Sequence, residues 1–318
     1  MPITSLVSNP DQYPEYIWRN GENIPWQSAM VHVNAVGHAS VSSVFEGIKA
    51  YYNSEQDQLY VFRLEEHMKR FIESARIVRL GLSYDSQELV AATLMLLKAN
   101  QERQDVYIRP WCFVEGIVRE QIAPSGTKTE MVIDSWSFNT QMLTQRGCSC
   151  CVSSWRRIDD TSMPPRAKVF SNYHNSRFAT IEAKQGGYDW PIFLNDRGKV
   201  TEGPGACIAM VREGKLITPN ITSGVLESIT RATLMQLAQD VLQLPIEERE
   251  IDRTELYVCD ELFFMGTGWE ILPITTIDGL VVGDGKMGSV ATKLDQAYHD
   301  IVRGNNPQYL HWLTPVYK

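Results

Sequence analysis

Over residues 65–80 the apolar side chains Met68, Phe71, Ile72, Ala75 and Val78 recur at three- and four-residue steps, which predicts an amphipathic helix. Leu89, Ala92, Thr93 and Leu96 predict a second over 85–100. Elsewhere the period shortens. YIWRNGENIPW, residues 16–26, sets aromatic and β-branched residues on either side of Asn20-Gly21, the pattern of a hairpin. GHASVSSVFEGIKAYY ends in an apolar strand, Tyr60 to Phe62 form a short one that stops at Arg63, and VYIRPWCFV and TEMVIDSW supply two more. In the second half GCSCCVSSW reads as a strand of small buried residues. DWPIFLNDRGKVTEG and ACIAMVREGKLITPN read as strands broken at glycine turns, and DELFFMGTGWEILP as a strand interrupted at Gly266-Thr267-Gly268. Helices are expected over 228–242, capped by Ser228, and over 290–301. Strands and helices mixed in this way imply an α+β fold.

At 318 residues the chain is long enough for two domains. A small domain is expected over 1–136, a polar unpatterned linker over 137–147, and a larger domain over 148–318. An apolar content of 43% supplies sizeable cores. A net charge of −8 argues against a nucleic-acid partner. The lack of a long apolar run argues against a membrane span, and residues 1–16 lack the basic start and apolar stretch of a signal peptide. Six cysteines include Cys148 and Cys151 at C-x-x-C spacing, but no second pair or nearby histidine completes a zinc site. Reduced thiols and a cytoplasmic location are the expectation.

The candidate chemistry centres on Lys168 in PPRAKVFSNYHNSR, residues 164–177. Ala167, Val169 and Phe170 surround it with apolar groups that favour the free amine, and a free amine can form a Schiff base with a carbonyl. Pro164, Pro165, Arg156 and Arg166 mark the approach as a fixed, basic loop. Three features suit an anionic group: the helix start at Ser228-Ile229-Thr230, Thr267 between two glycines, and Arg63 at a strand end. Glu202 in VTEGPG, taken alone, reads as a solvated turn acid, and Gly47 as a place where a ligand approaches the backbone. GDGKMG, residues 283–288, fits G-x-G-x-x-G, but no βαβ unit follows it, so it reads as a glycine-rich turn.

Taken together, RAKVFSNYHNSR, VTEGPG, SGVLESITRATL, DELFFMGTGWEILP, SVFEGIKAY and VFRLEEHMKRF resemble the fold-type IV (class IV) aminotransferases that use pyridoxal 5′-phosphate. VSSWRRIDDTSMPPRAK and VYIRP are most like the branched-chain amino acid aminotransferases within that family. The resemblance implies a two-domain α+β fold with a small domain and a larger pseudo-barrel domain. It implies a transaminase that moves an amino group from a branched-chain amino acid to 2-oxoglutarate in two half-reactions, as a homodimer or larger homo-oligomer. Lys168 would bind the cofactor covalently and shuttle a proton, Glu202 would pair with the pyridinium nitrogen, and Tyr173 would meet the phenolic oxygen. Arg63, the backbone N–H groups of Ile229 and Thr230, and Thr267 would hold the phosphate. Tyr107 and the Thr267-Gly268 backbone would take the substrate α-carboxylate, Phe45 would line the side-chain pocket, and Arg109 would meet the distal carboxylate of glutamate. Ser40 falls in the same substrate-binding set, where branched-chain enzymes usually carry tyrosine. Lys49 replaces a usual arginine, and Phe170 and Ser171 replace two glycines. An (R)-selective amine transaminase, an aminodeoxychorismate lyase and a non-catalytic protein of the same fold are the rival readings.

Overall fold

In the computed structural model, which describes residues 13–117, 127–138 and 147–317, Asn20 and Gly21 take positive φ, 49° and 111°. They turn strand β1 (Tyr16–Arg19) back onto β2 (Glu22–Pro25), as the Asn-Gly pair predicts. The described residues fall into two units. The first comprises those within Met1–Asn139, Ala167–Ser171 and Val302–Lys318. The second comprises those within Thr140–Arg166 and Asn172–Ile301.

The first unit is built on an antiparallel sheet. Its strands are β1, β2, β3 (Val44–Phe45), β4 (Ile48–Asn53), β5 (Gln58–Phe62), β6 (Val106–Val114), β7 (Thr129–Ser137) and the C-terminal strand Leu313–Pro315. From one edge the order is Leu313–Pro315, β5, β4, β6, β7, β1, β2, with β3 on β6. A short helix α1 (Val36–Ser42) precedes β3. The two periodic segments form helices α2 (Leu64–Ile77) and α3 (Ser86–Ala99). Asp85 and Glu88 close a capping box at the start of α3. The apolar pattern of α2 runs on through Val78 and Leu80, yet the helix stops at Ile77. Arg79 goes left-handed, φ 62°, and the N–H groups of Arg79 and Leu80 return to the carbonyls of Arg76 and Ala75. Val106, Ile108 and Cys112 of β6 join Met68, Phe71, Leu89 and Leu96 in the core. Successive strand residues face opposite ways, so Tyr107, Arg109 and Trp111 lie on the other face, each half-buried. Ala167 and Val169 join the same core, Val169 through a bridge to Val44. A sequence division at 137–147 leaves that stretch in the C-terminal part. Residues 139–146 of the expected linker lie outside the described residues.

The second unit is a mixed sheet. Its strands are β8 (Cys148–Arg156), β9 (Trp190–Leu194), β10 (Cys207–Arg212), β11 (Lys215–Pro219), β12 (Ile246–Arg249), β13 (Glu261–Gly266), β14 (Glu270–Ile277) and β15 (Leu280–Val281). They run in the order β12, β11, β10, β13, β14, β8, β9, with β15 on β14. β8 is parallel to β14 and β9, and β11 to β12; the other pairs are antiparallel. Cys148 and Cys150 of β8 are buried side by side in its core as small apolar groups. Helices α4 (Tyr173–Gln185), α5 (Ile229–Asp240) and α6 (Ser289–Val302) complete the unit. Residues 283–288 form the glycine-rich turn between β15 and α6. Two sheets with their own helices make this an α+β protein.

Candidate active site

Lys168 is fixed through its backbone. Its N–H donates to Ser74 Oγ on α2 at 3.1 Å, and its carbonyl accepts from the N–H of Phe45 on β3 at 3.0 Å. The residue is 9% exposed, and Nζ lies 4.8 Å from the Phe45 ring centroid. The Phe45 ring in turn packs 4.4 Å from Phe170, and Phe170 lies 6.0 Å from Trp111. Phe170 thus carries a ring that closes an aromatic face. Arg109 sits on that face between Trp111 and Trp136, its Cζ 4.8 and 5.1 Å from the two ring centroids. Its Nη2 is 3.5 Å from Asp134 Oδ2 on β7. Burial pushes the Asp134 carboxyl up, against the pull of the Arg109 charge. Tyr107, two residues back along β6, packs against Trp136 and Phe138. Its hydroxyl takes the space a Cβ on Gly47 would occupy, 1.8 Å from that position. The close approach expected at Gly47 is made by this tyrosine. Ser40 stands exposed on α1.

Behind Lys168 lies a cluster that the sequence reading did not single out. Glu46 is fully buried. Oε1 accepts from Arg70 Nε at 2.7 Å, and Oε2 takes Arg70 Nη2 and His67 Nδ1, each at 2.8 Å, and the Gly47 N–H at 3.2 Å. Burial alone would raise this carboxyl. The Arg70 charge, the His67 hydrogen bond and the further contacts outweigh it and hold Glu46 well below the usual carboxylate range. An ionised Glu46 only accepts, so His67 Nδ1 carries the proton. Burial first, then the charges of Arg70 and Lys168, push His67 down, against the pull of Glu46. The ring is therefore neutral, with Nε2 as its acceptor.

Arg63 follows β5 in a left-handed conformation, φ 49°, and starts α2. Its Nε donates to Glu66 at 2.8 Å, its guanidinium lies 5.1 Å from the Trp312 ring centroid, and its side chain is 16% exposed.

The remaining candidates belong to the second unit. Glu202 is buried, unlike a solvated turn acid. Arg157 Nη2 lies 2.6 Å from Oε1, and Oε2 accepts from the Leu226 N–H at 3.2 Å, with the Cys207 thiol at 3.8 Å. Sequence reasoning missed Arg157. It noted Arg156, the last residue of β8; Arg157 lies one position past the strand, where no alternation says which way a side chain turns. At the start of α5 the Ser228 hydroxyl accepts from the Arg231 N–H, as a capping serine does. The first-turn N–H groups of Ile229 and Thr230 point out of the helix start. Thr230 Oγ1 and Thr267 Oγ1 approach to 3.4 Å, which brings two predicted anion ligands together. Gly268 follows in the β13–β14 turn, and Tyr173 opens α4, half-buried.

Residues 43–277 match the amino-transferase class IV family, and the chain belongs to that family. Over 305 residues it is 37% identical to the probable branched-chain-amino-acid aminotransferase of Aquifex aeolicus (strain VF5), covering 95% of this chain and 97% of the relative. The fold is similar to the crystal structure of branched-chain amino acid aminotransferase from Thermobaculum terrenum in its PLP-form. There the TM-score is 0.93 at 43% identity, covering 96% of this chain and all of the other. It is also similar to the branched-chain aminotransferase from the thermophilic archaeon Thermoproteus uzoniensis with norvaline, with a TM-score of 0.90 at 40% identity, covering 96% of this chain and all of the other.

Proposed function

We propose that this chain uses pyridoxal 5′-phosphate to transfer the amino group of a branched-chain amino acid to 2-oxoglutarate, in two half-reactions. The observation that carries the proposal is Lys168: a buried amine whose backbone is held on both sides, in a chain alike to such enzymes over nearly its whole length. The donor sets fit the cofactor. A buried carboxylate locked by arginine suits a protonated ring nitrogen, and a helix start with two threonine hydroxyls suits a phosphate.

When bound, pyridoxal phosphate supplies the electron sink that lets the substrate Cα–H bond break. Lys168 Nζ would hold the cofactor and, once the amino donor has displaced it, would carry the proton between the substrate Cα and the cofactor's C4′ carbon. Glu202, kept anionic and oriented by Arg157 and the Leu226 N–H, holds the proton on the ring nitrogen. Tyr173 donates to the phenolic oxygen. Arg63, the N–H groups of Ile229 and Thr230, and Thr267 hold the phosphate. Tyr107 and the Thr267-Gly268 backbone orient the α-carboxylate, while Phe45 and Ser40 border the substrate. Arg109 meets the distal carboxylate of the acceptor, in competition with Asp134.

The chain works in the cytoplasm as a homodimer or larger homo-oligomer. No described helix is long and apolar enough to cross a membrane. For the assembly, Met30, Val31, Val33, Val36 and Val41 form an exposed apolar run suited to a second copy. The test of the activity is spectroscopic. Purified protein loses its cofactor band on addition of leucine and regains it with 2-oxoglutarate. A band that answers an (R)-amine and no amino acid overturns the substrate class.

A further inference from the structure

Glu270 is placed against its own backbone preference. It opens β14 opposite Gly266, directly after Thr267, Gly268 and Trp269, with φ at 55° in the left-handed region that glycine occupies without a steric cost. Its side chain is nevertheless wholly buried. A strained backbone and a buried carboxylate both work against the fold unless the surroundings fix them.

The surroundings are helix α6. His299 Nε2 lies 3.3 Å from Glu270 Oε2 and 3.6 Å from Oδ1 of Asp295, one helical turn earlier. Burial, with the Glu270 charge adding to it, pushes the Asp295 carboxyl up, while the His299 charge opposes the shift. At its other end α6 is tied to β13. Glu261 Oε1 and Oε2 accept from the N–H groups of Val290 and Ala291, each at 2.9 Å. The helix is thus fastened at its start to the strand entering the turn, and through His299 to the residue leaving it. What lies between these two attachments is the turn that carries Thr267 and Gly268.

We propose that Glu270, clamped by His299 beside Asp295, is a positioning residue that fixes the Thr267-Gly268 turn in the conformation that receives the cofactor phosphate and the substrate α-carboxylate. This rests on the reading of Thr267 as a phosphate ligand. A position that merely closes a hairpin welcomes glycine. A clamp does not survive it, because glycine relieves the backbone and removes the carboxylate together.

The test is cofactor release from the holoenzyme, followed by absorbance after dilution, beside the thermal midpoint of each apoprotein. Glu270→Gly is expected to speed release about tenfold or more, a change of about 1.4 kcal/mol, with an apoprotein midpoint no lower than the parent's. His299→Leu speeds release in the same direction. His299→Gln, which keeps a polar group facing Glu270 and Asp295, holds release to within about twofold of the parent's. Release at the parental rate from both Glu270→Gly and His299→Leu overturns the clamp. If Glu270→Gly does not fold, the two His299 variants decide alone, and equal release from them overturns it. Thr267→Ala separates the two readings. Should it speed release while the clamp variants do not, only the clamp falls. Should it change nothing, the phosphate reading falls and the clamp with it.

Discussion

Replacing Arg157 by methionine keeps the length of the side chain and removes the charge that holds Glu202. Both side chains are under a tenth exposed, 8% and 6%, and the pair meets at 2.6 Å. Breaking a buried ion pair from one side costs about 3–5 kcal/mol, because the remaining charge stays in a low-dielectric site without its partner. Glu202 keeps the Leu226 N–H at 3.2 Å and a long thiol contact to Cys207 at 3.8 Å. These place the loss at the lower end, about 3 kcal/mol. Domains of this size shift by about 2–4 °C per kcal/mol, so the apoprotein midpoint should fall by roughly 6–12 °C. A double-mutant cycle with Glu202→Gln isolates the pair: the double variant should regain stability, giving a coupling of at least about 1.5 kcal/mol. The leucine half-reaction of Arg157→Met should slow in the same direction as that of Glu202→Gln, since the ring nitrogen faces a carboxylate that is no longer held in place in the first and a neutral amide in the second. A midpoint within a degree of the parent together with a coupling below about 0.5 kcal/mol would refute the reasoning, for distant sites simply add to that precision.

Glu46 and His67 both have folded-state values below their ordinary ones, 4.5 and 6.5. Each therefore stabilises the fold above its ordinary value, and the stability drains away as pH falls below it, because the unfolded chain binds the proton first. The parent should lose stability on going from pH 7 to 5, and His67→Phe should flatten that slope; an unchanged slope in urea titrations would contradict the assignment. Arg109→Ala should raise the KM for 2-oxoglutarate about tenfold or more, the value of a charge-assisted hydrogen bond, and that for pyruvate by about threefold at most. Equal losses on both acceptors would mean that Arg109 serves Asp134 and the aromatic face instead.

What was legible in the sequence is local. α3 ends where Asp85 and Asn100 say it should, Ser228 caps α5, and Asn20-Gly21 turns the first hairpin, because caps and turns act on residues a few positions away. Short elements without a period were not legible: α1 spans seven residues around Gly37, and the C-terminal strand three. Long-range partners were equally hidden. Lys168 is held by Ser74 and Phe45, 94 positions away in the first case, and no pattern around the lysine announces either. The Glu46 cluster left a readable trace, a lone acid within the apolar VFEGI and a His67-x-x-Arg70 spacing that puts both bases on one helix face. The motif around Glu202 marked that residue, but its burial and its pairing with Arg157 left no trace, since both come from the tertiary fold.

Borohydride reduction of the holoenzyme, followed by peptide mapping, tests the central claim most directly. The account predicts one reduced pyridoxyl adduct, on Lys168, and a Lys168→Ala protein that keeps its fold but neither fixes the cofactor nor transaminates. An adduct on any other lysine, or transamination by Lys168→Ala at the parental rate, would contradict it.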